Sequence, residues 1–299
     1  MMVDRSTAAL REPGDLGSGT FRSAMVNVTN ACNLSCAHCF VFRENNPNQP
    51  HDRMDDGTML HQLGVLRDRH GIRSMAFMGG EPMKRKQLVL NGLQLFERSS
   101  IITNGTYGIP SAPGHLVTVS LDGPEAMNDA IRGEGVFQKV KEAIFARDAD
   151  DGTIVILQMV VTRETGDGME TWLQAVRDWP VSGAAFSFYA PAQNDSTGLG
   201  WPDLRDRDEV IERAIALKRR YRGFLTSNIG ALEMMRSDVA IQYTGPDGEH
   251  CPMRRMLTLY MGTGGNFERT FCCLGNDVDC ARCGFYGVFN AAFHGQNGS

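Results

Sequence analysis

From residue 24 onward, short apolar runs alternate with longer stretches whose apolar positions recur at helical spacing. AMVNVT at 24–29 reads as a strand, 57–70 as a helix, and RSMAFM at 73–78 as a strand running into Gly79-Gly80. The pattern repeats with a helix over 87–96, a short strand ending at Thr103, the strand LVTVSLD at 116–122, and a helix over 136–147. TIVILQMVV at 153–161 is nearly all apolar, as expected of a strand buried on both faces. A helix over 170–178 and the strand AAFSFYA at 184–190 complete six strand–helix units. Strands alternating with helices favour parallel βαβ connections, so the expected fold class is α/β, a partial (β/α)6 TIM-like barrel.

The character changes after Pro191: QNDSTGLGWPDL reads as a loop, and 207–221 as an amphipathic helix with Val210, Ile211, Ala214 and Ile215 on one side. MLTLYMGTGGNFERTF at 256–271 predicts a hairpin turning at Gly264-Gly265-Asn266, followed by a cysteine-rich knuckle. The expected organisation is a loose Gly-, Ser- and Pro-rich leader over 1–22, a barrel over 23–244, and a small C-terminal cysteine-rich annex over 245–299.

Composition narrows the function. The formal net charge of −5 argues against a nucleic-acid partner, which needs a concentrated basic surface, and leaves room for a cationic substrate. Met1-Met2-Val3-Asp4-Arg5 carries an acid and no apolar run follows it, so neither a secretory signal nor a membrane span is readable; a cytoplasmic location without membrane association is expected. In that setting the eight cysteines read better as metal ligands than as disulfides. They fall in two groups, Cys32, Cys36 and Cys39, and then Cys251, Cys272, Cys273, Cys280 and Cys283, which implies two sites.

CNLSCAHC places three thiols just after the first strand, too few to close a four-cysteine site there. Three thiolates on a cubane cluster leave one iron open to an outside ligand. A zinc knuckle using His38 is the alternative, but adjacent His38 and Cys39 rarely share one ion. Gly79-Gly80-Glu81-Pro82 closes the second strand, and glycines there allow close backbone approach to a ligand. Thr103 and Asn104 end the third strand, and Ser120 and Asp122 the fourth, where α/β sheets place ligand contacts; Asn104-Gly105 and Asp122-Gly123-Pro124 are also ordinary turn sequences.

The cysteine triad followed by Gly79-Gly80-Glu81-Pro82 resembles the radical S-adenosylmethionine superfamily. The resemblance implies that Cys32, Cys36 and Cys39 hold a [4Fe-4S] cluster and that S-adenosyl-L-methionine is consumed as co-substrate. It further implies that Gly79, Gly80, Glu81 and Pro82 bind the methionyl ammonium, that His38 and Phe40 lie near the adenine, and that Thr103, Asn104, Ser120 and Asp122 are cofactor contacts. The C-terminal cysteines resemble the short auxiliary-cluster annex called a twitch domain, with Cys272, Cys273, Cys280 and Cys283 as ligands of a second [4Fe-4S] cluster; a zinc ribbon is the alternative.

Seven ligands among eight cysteines leave one thiol, and a thiol hydrogen is a good donor to a carbon radical. With the short annex and the chain length, this resembles the radical aminoglycoside epimerases, which implies an isomerase acting on an aminoglycoside and fed by a flavodoxin- or ferredoxin-type reductant. Cys251 is the expected donor, with Cys272 or Cys273 as the spare thiol if Cys251 is a ligand. A radical sugar dehydrogenase that passes electrons to the second cluster and a non-enzymatic iron–sulfur or zinc module are the alternatives. A polyamine sugar calls for carboxylates; Glu44, Asp122, Glu125 and Asp195 are candidates by position alone, each also reads as a solvated or turn residue, and none is assigned to the substrate site.

Overall fold

The computed structural model describes residues 13–14, 16–43, 54–262 and 264–296. Six parallel strands form the framework: β1 (Ser23–Asn27), β2 (Ser74–Met78), β3 (Arg98–Thr103), β4 (Leu116–Ser120), β5 (Ile154–Val161) and β6 (Gly183–Phe188). They lie in chain order across the sheet, as successive strand–helix–strand crossovers require. β5 alternates fully buried and partly covered residues: Val155, Leu157, Met159 and Val161 all face the core.

Between the strands run α1 (Asp56–His70), α2 (Lys86–Leu93), α3 (Glu125–Arg132), α4 (Val136–Ala146) and α5 (Met169–Val176). Asp55 caps α1 by accepting from the Thr58 amide at 2.9 Å, and Gly71 ends it in the left-handed region at φ 69°, where a side chain would be strained. α2 begins only after a 3-10 turn over Pro82–Arg85. α3 was not expected from the apolar pattern; it is entered directly from Gly123-Pro124, which reads as a turn. α6 (Leu204–Arg220) buries Val210, Ile211, Ala214 and Ile215, the face its periodicity predicts.

The C-terminal part departs most from the sequence reading. α7 (Ile229–Glu233) and α8 (Ile241–Thr244) precede the hairpin, and α9 (Tyr286–Gln296) follows the last cysteine. The hairpin strands β7 (Leu257–Met261) and β8 (Phe267–Arg269) do not form a sheet of their own. β7 pairs in parallel with β1, Met25 opposite Thr258, so one eight-stranded sheet runs β6-β5-β4-β3-β2-β1-β7-β8. A boundary at 245 therefore falls within a continuous hydrogen-bonded structure.

The expected leader lies partly outside the described residues, since 1–12 and 15 are not among them. Its described part packs closely. Leu16 and Phe21 are buried, the Phe21 amide donates to the His70 carbonyl at 2.9 Å, and the Arg269 guanidinium sits 4.6 Å from the Phe21 ring centre. Among the described residues, no helix is long and apolar enough to cross a membrane.

Candidate active site and a second cysteine cavity

Ladder hydrogen bonds continue past the ends of β1 and β2 and shape the cysteine loop. The Val28 amide donates to Met78, the Gly80 amide to Thr29 at 2.8 Å, and the Glu81 amide to Ala31 at 2.9 Å. The loop backbone lies so close that a Cβ on Gly79 would stand 2.7 Å from the Thr29 carbonyl oxygen, and one on Gly80 2.4 Å from that of Ala31. Glycine is required here for the approach of two chain segments.

Cys32, Cys36 and Cys39, each partly exposed, line one cavity at the carboxyl ends of the strands, together with His38, Phe40, Gly79, Gly80, Thr103, Asn104 and Ser120. Asn104 steadies the loop: its side-chain amide donates to Asn33 Oδ1 at 3.1 Å and lies 3.9 Å from Cys32 Sγ. Burial pushes the Cys36 thiol up to about 11 against the pull of Arg132, so a metal must displace a proton there. Three thiols facing a cavity walled by glycine backbone fit a cluster with one open iron.

Glu81 and Pro82 do not line this cavity. Pro82 begins the 3-10 turn, and the fully buried Glu81 carboxylate is spent on backbone architecture. It accepts from the Met83 amide at 2.9 Å, the Thr103 hydroxyl at 2.7 Å and the Asn104 amide at 2.8 Å, which ties the end of β2 to the end of β3. In this arrangement three protein donors already occupy the carboxylate expected to meet a ligand ammonium. Burial raises its pKa, opposed by those three hydrogen bonds.

Asp122 is also withdrawn from the cavity. It is completely buried, pairs with His38 Nε2 at 2.5 Å and Arg132 Nε at 2.7 Å, and accepts from the Val160 amide at 2.8 Å. Arg132 then reaches to 4.0 Å from Cys36 Sγ. Sequence reasoning missed Arg132 because it missed α3. Gln158 and Ser187 also line the cavity; as polar residues interrupting the apolar runs of β5 and β6, they carried a readable signal.

Beside the loop, a polar groove opens along Cys36, Cys39, Arg43, Tyr189, Asp195 and Asp277. The Tyr189 hydroxyl donates to Asp195 at 2.9 Å. Of the other acids considered for a polyamine, Glu125 is exposed and takes a hydrogen bond from Gln138, and Glu44 lies outside the described residues.

The C-terminal cysteines group differently from the sequence reading. Cys251, Cys272, Cys280 and Cys283 line one small, mostly apolar cavity with Met253, Val278 and Val288. Cys273 does not line it, although its sulfur is 3.9 Å from that of Cys272. Cys273 thus stands behind Cys272, in contact with the thiol group but off the cavity wall. Cys251, expected as the free thiol, lines the cavity with Cys272, Cys280 and Cys283, and Cys273 does not. Burial pushes Cys251 up to about 11 and Cys280 to about 12. Among the described residues, no three His, Cys, Asp or Glu side chains converge as they would around a single ion.

Comparison with known proteins is decisive for the family. Residues 26–176, half of the chain, match the model of the Radical SAM superfamily. The chain belongs to that superfamily. Membership implies a [4Fe-4S] cluster and S-adenosylmethionine, for which the cavity at Cys32, Cys36 and Cys39 is the matching site. Among curated relatives, a probable GTP 3',8-cyclase of Methanopyrus kandleri is 24% identical over 52% of this chain and 53% of its own length. The GTP 3',8-cyclase of Geobacter sulfurreducens is 26% identical over 64% of this chain and 61% of its own. The radical SAM chain thus spans about half to three-fifths of these two curated relatives. Its fold is shared with anSMEcpe bound to AdoMet, at TM-score 0.59 and 18% identity over 89% of this chain and 80% of that one. Streptococcus suis SuiB bound to S-adenosylmethionine matches at TM-score 0.60 and 14% identity, over 83% of this chain and 60% of that one.

Proposed function

We propose that this radical SAM enzyme is an epimerase that inverts carbon 5 of the terminal diaminosugar of an aminoglycoside, the change that converts neomycin C into neomycin B. When bound, the open-iron cluster and S-adenosylmethionine supply a 5'-deoxyadenosyl radical, the reagent for hydrogen abstraction. The protein's own residues provide shielding, orientation and a returning hydrogen. One observation carries the reading: four of the five C-terminal thiols face one cavity and Cys273 does not, while the next residue, Leu274, lines the cavity of the first three cysteines. A spare thiol is the reagent an epimerase needs and a dehydrogenase does not. In this reading Cys273, instead of Cys251, gives its hydrogen atom to the substrate carbon, and a flavodoxin- or ferredoxin-type partner returns one electron with a solvent proton. Cys251, Cys272, Cys280 and Cys283 would hold an auxiliary [4Fe-4S] cluster of the twitch type. Asp195 and Asp277 in the polar groove suit the ammonium groups of an aminosugar by charge-assisted hydrogen bonding.

A second reading is favoured by the complete burial of Cys273. If its thiol is not delivered to the substrate, the substrate radical would instead be oxidised, as in a sugar dehydrogenase. Anaerobic turnover of an aminoglycoside panel in heavy water separates the two. An epimerase returns an isomer with one deuterium at the inverted carbon, and Cys273→Ala accumulates 5'-deoxyadenosine without isomer. A product lighter by two hydrogens and free of deuterium overturns the epimerase.

A further inference from the structure

Among the described residues, Arg207 is the largest charged side chain with no accessible surface. It stands on α6, and its guanidinium donates to the carbonyls of Cys283 at 3.0 Å and Met235 at 2.7 Å, while Nε finds no partner. Among the described residues no carboxylate stands within ion-pairing distance of it. The adjacent Asp208 is turned to Ser237, accepting from that amide at 2.8 Å and pairing with its hydroxyl. Arg132 near the first cysteine loop is equally enclosed but carries Asp122 as its counter-charge.

A buried cation that meets only carbonyl dipoles is expensive, and native interiors pair such charges or set them against metal centres. A guanidinium keeps its charge at neutral pH. Through the Cys283 carbonyl, Arg207 stands directly behind the four-thiol cavity, whose thiols become anionic when they ligate metal.

We infer that Arg207 is the built-in counter-cation of the auxiliary cluster and holds its reduction potential up. The inference rests on the reading that Cys251, Cys272, Cys280 and Cys283 bind a [4Fe-4S] cluster. A fixed positive charge behind one ligand favours the more negative, reduced state of a cluster, because charge and hydrogen bonding around the ligands set its potential. Arg207 touches neither substrate nor the reacting atoms, so it is a positioning residue for electrons.

The test is a redox titration, followed by electron paramagnetic resonance, of the full-length protein reconstituted with iron and sulfide. Wild type is compared with Arg207→Lys, Arg207→Gln and Arg207→Met. Both neutral variants should lower the reduction equilibrium constant of the second cluster at least tenfold, about 59 mV for a one-electron couple. Arg207→Lys should stay within threefold of wild type, and the first cluster should not move in any variant. Arg207→Gln keeps a donor for the Cys283 carbonyl, and Arg207→Met keeps the packing, so a shift common to both tracks the charge. Unchanged potentials in the neutral variants, or equal shifts in Lys and Gln, overturn the inference. Wild type that takes up iron only at the first site, or zinc at the second, removes the cluster reading itself.

Discussion

Asp122 and Arg132 meet at 2.7 Å with their side chains 0% and 7% exposed, and the guanidinium is interposed between that carboxylate and Cys36. Burial works against ionised Asp122, but Arg132 and His38 overcome it and hold the carboxyl well below its usual range. Asp122→Asn should cost about 3–5 kcal/mol, because it strands a buried cation. The sign follows from the depressed folded value. The contribution is complete above the ordinary carboxylate pKa of about 4 and is lost as pH falls through the lower folded one. Urea midpoints should therefore differ between variant and wild type at pH 7 by the same margin as at pH 6; equal midpoints at pH 7 would contradict the pairing.

Gly80→Ala tests the close approach of the two chain segments. A methyl 2.4 Å from the Ala31 carbonyl oxygen cannot be absorbed by a rotamer change, so backbone must move, at a cost of about 1–3 kcal/mol. The displaced segment is the cysteine loop itself. Equilibrium binding of S-adenosylmethionine to the reconstituted variant should weaken more than tenfold, whereas Gly108→Ala, whose added Cβ meets nothing within 4 Å but whose φ of 86° is strained, should leave binding unchanged.

Glu81→Ala should behave as a structural lesion. Its fully buried carboxylate satisfies three donors, and charged-group hydrogen bonds are worth about 1.5–3 kcal/mol each. Thermal unfolding should fall clearly before any effect on cofactor affinity is measured, and Glu81→Gln should recover only part of the loss. An unchanged melting temperature with weakened cofactor binding would restore direct contact as the role of this residue.

Iron content distinguishes the two assignments of the C-terminal thiols. Wild type should take up about eight irons per chain on anaerobic reconstitution, two clusters of roughly four. Cys251→Ala should lose about half and Cys273→Ala should lose none. The reverse pattern would return Cys251 to the role of free thiol.

The strands were legible because burial imposes period two or continuous apolar runs, and β5 is the plainest case. The cysteine loop was legible because its spacing and the two glycines after β2 are local. What lay outside reach depends on closure in three dimensions. α3 follows directly on the Asp122-Gly123-Pro124 turn signal, so Arg132 was invisible, and with it the reason why Asp122 is buried. A lone acid after two glycines does not reveal that Thr103 and Asn104 will donate to the Glu81 carboxylate. Counting thiols left Cys251, Cys272 and Cys273 interchangeable; only the folded cavity, lined by Cys251 and Cys272 and not by Cys273, distinguishes them.

The parallel pairing of β7 with β1 bears on any attempt to study the barrel alone. β1 delivers the first cysteine loop, and it is flanked on one side by β2 and on the other by β7. Cutting the chain before Leu257 would turn β1 into a bare edge with unpaired amides and carbonyls, an invitation to intermolecular association. A truncated barrel should accumulate as aggregates, and the three-thiol loop would lose one of the two rails that hold its origin in place.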